Sequence, residues 1–338
     1  MELGGLYKKI IKNNVPFYMA IEVTTSCNQN CLHCYNIRDK KHEISFSQIR
    51  RILKEASSLG TLFLSITGGE PMQREDIWDI LDYAVKQNFA TLLYTNGTLI
   101  GPSEAQKLKS IGVYWVDITI LGASSETHDR ITGLPGSYDL SMRAIELLRE
   151  KEVGVAVKTP ALRENFAELH KIKKKMSSMG LMHIVSPVVY PKDSGDEEPL
   201  RHRLTDEQMK DYFRFHEPAT RVNPLGEFSC DLGRVMLAIS AKGDVYPCLC
   251  VPYNVGNISK NSLSSLWKDS VGLKYIREGS QVPCESFRKC DDMWWCFRCE
   301  GLAWLEKGEM FVADSESCRM ARIRREVDLE RERKKERG

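Results

Sequence analysis

The sequence has no run of about 18 apolar residues, so no segment is fitted to cross a bilayer as a helix. It has no strong charge of either sign. Its 48 Lys and Arg nearly balance 46 Asp and Glu, and a net charge of +2 gives no electrostatic case for nucleic acid or an anionic membrane as partner. Residues 1–16 contain lysines but no apolar core segment and no small-residue cleavage site. No signal peptide is read there, and a cytoplasmic location is expected. Without export, structural disulfides are not expected. Cysteine itself is missing from a long stretch: none occurs between Cys34 and Cys230.

What the chain does have is eleven cysteines, gathered at two places. Three lie from Cys27 to Cys34 and eight from Cys230 to Cys318. In a reducing compartment, thiols clustered in this way point to metal. The remaining composition, 42% hydrophobic and 28% charged over 338 residues, is ordinary for a globular protein. The length accommodates one large domain and a small one.

The cysteine-free body alternates strand-like and helix-like segments. Strands are expected at Phe17–Thr24, Leu62–Thr67, Ala90–Thr95, Val113–Ile120, Gly154–Thr159 and Leu181–Ser186, all short apolar runs. A helix opens at Ser47, with Ile49, Ile52, Leu53 and Ala56 at helical spacing. Others are read at Asp76–Gln87, Ser103–Ile111, Tyr138–Lys151 and Asn165–Met179. Six consecutive βα units imply an α/β fold with a parallel sheet and outer helices. Six units rather than eight suggest a partial (β/α)6 TIM barrel over residues 17–216, after an N-terminal lead of residues 1–16. Sites on such sheets lie at the C-terminal strand ends.

The body closes in a charged stretch, Lys192–Arg203, with Pro191, Gly195 and Pro199, and a helix at Thr205–His216. A small cysteine-rich domain is read over residues 217–320. Gly226, Gly243, Pro247 and Pro252 suggest hairpins and loops there, and apolar residues are too few for a large core. Metal would supply stability. The last stretch, residues 321–338, is almost wholly charged and reads as a solvated helix or frayed end.

Cys27-x3-Cys31-x2-Cys34 follows directly on the first strand, in the first βα loop. A cubane cluster has four irons, so three thiolates leave one iron open to a chelating substrate or cofactor. His33 is the competitor as fourth ligand, but its place between two cysteines of a tight loop directs it away. Zinc is the metal alternative. Structural zinc usually takes paired Cys-x2-Cys spacings and four closed ligands, which a single triad fits poorly.

With Tyr35 behind the third cysteine, this motif resembles the signature of the radical S-adenosylmethionine (SAM) superfamily. The resemblance implies that SAM chelates the open iron of a [4Fe-4S] cluster on Cys27, Cys31 and Cys34. Reductive cleavage then yields a 5′-deoxyadenosyl radical that abstracts hydrogen from substrate, with flavodoxin or ferredoxin as reductant. Thr67-Gly68-Gly69-Glu70-Pro71 ends the second strand. Its glycines permit close backbone approach to a ligand and Glu70 offers a carboxylate to a cation. The segment resembles the family motif that binds the SAM amino group. Tyr94-Thr95-Asn96-Gly97 resembles the family segment near the adenosine. The fourth strand ends Asp117-Ile118-Thr119-Ile120-Leu121-Gly122, where many relatives with a C-terminal cluster domain have Ser-Leu-Asp-Gly. Thr119 keeps a hydroxyl, whereas Leu121 loses a carboxylate, so no catalytic acid or base is carried over. Glu126-Thr127-His128-Asp129 and Gly133 continue the relatives' pattern as a structured loop. Lys158 is either a partner of the SAM carboxylate beside Thr119 or a member of a structural ion pair.

The second region runs Cys230-x12-Gly243-x4-Cys248, Cys250, then Cys284-x5-Cys290-x5-Cys296-x2-Cys299, and Cys318. Eight thiolates close two cubanes or two zinc sites. The layout resembles the SPASM extension of radical SAM enzymes, with an x5 spacing after Cys284 where the family has x2 and an x2 after Cys296 where it has x3. The resemblance implies a first auxiliary cluster on Cys230, Cys248 and Cys299 and a second on Cys284, Cys290, Cys296 and Cys318, three [4Fe-4S] clusters in all. Either Cys250 closes the first auxiliary cluster or that cluster keeps an open iron. Trp294, Trp295 and Trp304 read as packing around the clusters.

The resemblance covers Phe17 to Cys318. It implies an enzyme that oxidatively modifies or crosslinks a ribosomally made peptide or protein, to which the text Val245-Tyr-Pro-Cys248 and Gly256 to Trp267 adds support. Two alternatives stay open: a tetrapyrrole of haem biosynthesis or another small molecule as substrate, and a zinc-binding interaction module without enzyme activity. Many peptide maturases carry an N-terminal leader-recognition domain. With about 16 residues before the first strand, leader recognition is expected from a separate partner protein, or is not needed. The same shortness adds weight to the tetrapyrrole alternative.

Overall fold

The computed structural model describes residues 3–37, 43–217, 231–279 and 289–336. Gly226, Cys230 and Cys284 lie outside these. Six parallel strands form the frame: β1 Tyr18–Thr24, β2 Phe63–Gly68, β3 Ala90–Thr95, β4 Trp115–Thr119, β5 Val155–Pro160 and β6 Met182–Ser186. Each pairs with the next in chain order, as repeated right-handed βα crossovers dictate. The helices between them are α1 Leu3–Lys12, α2 Phe46–Ser58, α3 Ile77–Lys86, α4 Pro102–Ile111, α5 Ser125–Thr132, α6 Ser137–Glu150, α7 Leu169–Ser178 and α8 Asp206–Phe215. Ser45 caps α2 in a capping box with Gln48, and the expected Ile49, Ile52, Leu53 and Ala56 are its buried face.

Successive residues of a strand point to opposite faces. In β1, Ile21 and Val23 join the core under the helices, so Ala20 and Glu22 face the barrel lumen. The register sets Glu22 beside Thr67, Tyr94 beside Asp117 and Thr119 beside Lys158. A row of polar side chains thus crosses the lumen near the C-terminal strand ends.

The cysteine-rich region is not a detached body. Its first strand, β7 Met236–Ile239, pairs in parallel with β1, and β8 Asp244–Tyr246 and β9 Gly256–Asn257 continue the sheet antiparallel. One nine-stranded sheet therefore joins both cysteine regions. The remaining helices are α9 Leu263–Asp269, α10 Val271–Gly279, α11 Glu300–Lys307 and α12 Ser315–Glu336.

Helix α12 corrects the reading of residues 321–338 as a solvated end. It begins upstream, at Ser315, and lays Met320, Ile323 and Val327 against Leu204, Met209 and Phe213 of α8 and its approach. Arg324 is buried too, its guanidinium 2.6 Å from Glu217 and flat against Phe213 and Phe297. The long aliphatic parts of charged side chains supply a buried face that composition hides. Trp295 and Trp304 pack as expected, Trp295 donating to Asp328 at 2.8 Å and Trp304 meeting Tyr253 edge-on. Trp294 is exposed. Among the described residues, no helix is long and apolar enough to cross a membrane.

Candidate active site at the barrel rim

After β1 the chain turns through Thr25 and Ser26 into Cys27. The end of β2 is fastened to this turn: Gly69 N–H donates to Thr24 O at 2.8 Å and Glu70 N–H to Ser26 O at 2.7 Å. A Cβ at Gly68 would lie 2.2 Å from Thr24 O, and one at Gly69 would lie 2.2 Å from Ser26 O. Only glycine fits so close to backbone, and Gly68 also has φ +134°. What these glycines approach is the cysteine loop itself.

The end of β3 holds the same loop. Asn28 accepts from Asn96 Nδ2 and donates to Thr98 Oγ1, both at 2.8 Å. From the far side, Thr132 O accepts from Asn30 N–H at 2.7 Å and Ile131 O from Leu32 N–H at 3.1 Å. The segment expected as a loop from Glu126 to Gly133 is thus the helix α5, closed by Gly133 in a left-handed turn against Asn30.

Glu70 is fully buried. Its Oε1 accepts from Met72 N–H and Thr95 Oγ1–H, and its Oε2 from Asn96 N–H. It ties the ends of β2 and β3 together, with Pro71 opening the short turn that follows. Burial raises its pKa, and these three hydrogen bonds oppose the rise.

The donor set fits an iron–sulfur cluster. Three thiols share one loop, and Gln29 N–H donates to Cys27 Sγ at 3.4 Å. Among the described residues, no three His, Cys, Asp or Glu side chains converge as they would on a single metal ion. Gln29 Nε2, His33 Nδ1 and Asn36 Nδ2 are buried without a hydrogen-bond partner, all within the cysteine loop. Soft thiolates of this kind suit an iron-sulfur cluster, and three of them would leave one iron of a cubane without a protein ligand. The charged neighbours of His33 are His202 and Glu164.

Lys158 Nζ lies 2.7 Å from Asp117 Oδ2 and 3.6 Å over the Tyr94 ring, so the ion-pair reading of this lysine is realised. Thr119 is next to it across the strands. Leu121 is buried with Ile131, Leu162 and Val189, where Cys31 and Leu32 pack against it.

Sequence reading missed Glu22, although a lone carboxylate in the apolar strand Tyr18–Thr24 is the signal for it. Tyr35 hydroxyl donates to Glu22 Oε1 at 3.2 Å, and Tyr35 carbonyl accepts from Asp193 N–H at 3.2 Å. Tyr35 thus meets the Glu22 carboxylate with its side chain and Asp193 with its backbone. Burial first, then the Asp193 charge, pushes Glu22 up to about 7, against the Tyr35 hydrogen bond.

The later cysteines fall into two groups. Cys248 and Cys250 lie on the turn after β8 and bond to each other. Cys299 stands at the N-cap position of α11 without a side-chain cap hydrogen bond, beside the backbone N–H groups of Gly301 and Leu302. Tyr190 connects these groups, 3.4 Å from Cys299 Sγ and bonded to Cys250. Cys296 faces Cys318 and Cys290, and burial with these neighbours pushes its thiol up to about 12. No described cysteine is in a disulfide.

Comparison with known proteins agrees with this arrangement. The radical SAM superfamily profile matches residues 21–176, and that of the SPASM iron-sulfur cluster-binding domain matches residues 230–300. An AdoMet-dependent heme synthase of Oleidesulfovibrio alaskensis is 33% identical over 317 residues, 80% of this chain and 81% of its own. The mycofactocin maturase MftC of Mycobacterium tuberculosis H37Rv is 28% identical over 304 residues, 82% of this chain and 78% of its own. Streptococcus suis SuiB, solved bound to its precursor peptide SuiA, superposes with a TM-score of 0.71 over 92% of this chain and 78% of that one. Its 18% identity makes this a likeness of fold. The chain belongs to the radical SAM superfamily and is an enzyme of its SPASM type, for which SAM and iron-sulfur clusters are the cofactors.

Proposed function

We propose that the chain reductively cleaves SAM and oxidatively modifies or crosslinks a ribosomally made peptide or protein. A [4Fe-4S] cluster on Cys27, Cys31 and Cys34, with SAM on its open iron, supplies the hydrogen-abstracting 5′-deoxyadenosyl radical. Tyr35, Gly68, Gly69, Glu70, Pro71, Asn96, Thr119 and Lys158 surround SAM in this reading. Glu70 and Asn96 serve it by fixing the strand ends, and Lys158 by a charge already balanced by Asp117. The two later cysteine groups hold one cluster each, giving three in all. Electrons arrive from flavodoxin or ferredoxin. A separate protein presents any leader.

The observation that carries the choice of substrate is the pair of acids beside Tyr35: Glu22, bonded to its hydroxyl in the lumen, and Asp193, whose backbone N–H bonds to its carbonyl and whose charge acts on Glu22. A tetrapyrrole with several carboxylates would bring like charge against them. The neutral amides of a peptide would not. Glu22 is also placed to take the proton released when an oxidised substrate loses an electron, with an ordinary carboxylate range shifted toward neutrality. The relative named as a mycofactocin maturase supports the same substrate class. A tetrapyrrole is the second reading, favoured by the 33% identity to an AdoMet-dependent heme synthase.

The test is anaerobic turnover with SAM and dithionite, offering short precursor peptides encoded nearby and, separately, a carboxylated iron tetrapyrrole. Peptide losing two hydrogens is the expected product by mass spectrometry. Carbon dioxide release from the tetrapyrrole, with the peptides unchanged, selects the second reading. A zinc-loaded protein that forms no 5′-deoxyadenosine removes both.

A further inference from the structure

Resting on the cluster reading above, we propose that Cys250 is a ligand of the first auxiliary cluster beside Cys248 and Cys299, and that Tyr190 is the positioning residue that hydrogen-bonds this thiolate set from the barrel side.

Two residues apart, Cys248 and Cys250 would point to opposite faces of an extended strand. Here the chain turns between them: Val251 N–H donates to Cys248 O at 3.1 Å, and the two thiols meet. The turn is pressed onto the start of α11. A Cβ at Gly301 would lie 2.1 Å from Cys250 O, so only glycine allows the approach. That approach brings Cys250 toward Cys299, the residue at the N-cap position of α11. The paired thiols of Cys248 and Cys250 and the helix start that carries Cys299 are thus brought side by side from two separate chain segments.

Tyr190 reaches the convergence from the other side. It follows β6 of the barrel, and its hydroxyl bonds to both Cys299, at 3.4 Å, and Cys250. Hydrogen bonds to ligand sulfurs stabilise the more reduced, more negative cluster and raise its potential. Tyr190 thus ties the loop after β6, which three residues on carries Asp193, to this thiol set.

The experiment uses the full chain, reconstituted anaerobically, as wild type, Y190F, C250A and C250S. Iron and sulfide are counted, and the auxiliary signals are followed by EPR during redox titration. Y190F should keep the wild-type iron count and shift one auxiliary midpoint to lower potential, which a merely structural tyrosine would not do. C250A and C250S should lose about four irons per chain or convert one cubane signal to a three-iron signal. The SAM-responsive signal of the triad should stay in all three. Unchanged midpoints in Y190F overturn the role of Tyr190. A full iron count with unchanged spectra in both Cys250 variants overturns the ligand assignment. A wild type holding about four irons instead refutes the three-cluster reading itself, a failure visible before any variant is compared.

Discussion

Cys27, Cys31 and Cys34 ride on a loop fastened to the ends of β1, β2 and β3 and to α5, by backbone hydrogen bonds and by glycines too close for any other residue. The later cysteines sit on turns and helix starts, and much of what fastens them is borrowed from the barrel: β7 on β1, Tyr190 from beyond β6, and α12 on α8. The first site is shaped by the sheet before any cofactor arrives. The second owes its shape to what its cysteines bind, as small metal domains do.

The largest effect should come from the first site, in function and not in folding. Changing Cys27, Cys31 and Cys34 to Ala should reduce 5′-deoxyadenosine formation to background while the apo-protein's denaturation midpoint stays where it was. Chelation should do the reverse to the second. Stripped of metal, residues 231–279 and 289–314 should lose protection from hydrogen exchange while β1 to β6 keep theirs. Equal loss in both regions would break the contrast.

Gly69→Ala sharpens it further. The new methyl would meet the backbone at Ser26 O, Ser26 C and Thr25 O, and about 3 kcal/mol of lost stability is expected in denaturant unfolding, together with weaker SAM binding. Glu22→Gln tests the lumen. Below about pH 4.5 the glutamate is protonated in folded and unfolded chains alike. Between that and about 7 the unfolded chain ionises while the folded one keeps its proton, so wild-type stability falls as pH rises. The glutamine variant escapes this fall and should gain roughly 3 kcal/mol on the wild type at pH 8, with no gain at pH 4. The smallest effect is Trp295→Phe, which removes the hydrogen bond to Asp328. About 1 kcal/mol is expected, confined to the second region.

The frame was plainly legible in the sequence. Buried parallel strands are continuous apolar runs, and Ala90–Thr95 is bounded as expected, with β1 shorter by one residue at Phe17. Helix α5 was not legible, because Ser-Glu-Thr-His-Asp-Arg looks like a loop and its buried side, Thr127, His128, Ile131 and Thr132, has a single apolar residue. Ser124 before it and Gly133 after it are the caps that would have marked it. The pairing of β7 with β1 joins residues more than 200 apart, which no local pattern encodes. The triad and its glycines were readable as motifs, yet their mutual contacts were not. Tyr190 was invisible because it matters only through a neighbour distant in the chain, whereas Glu22 was marked by its lone charge in an apolar strand and lacked only its partner Tyr35.

The most direct test of the whole account is a count of iron and zinc, with an absorption spectrum, on the full chain purified anaerobically. The account predicts a brown protein with about 12 irons per chain, three cubanes. A colourless protein carrying zinc in place of iron would contradict it.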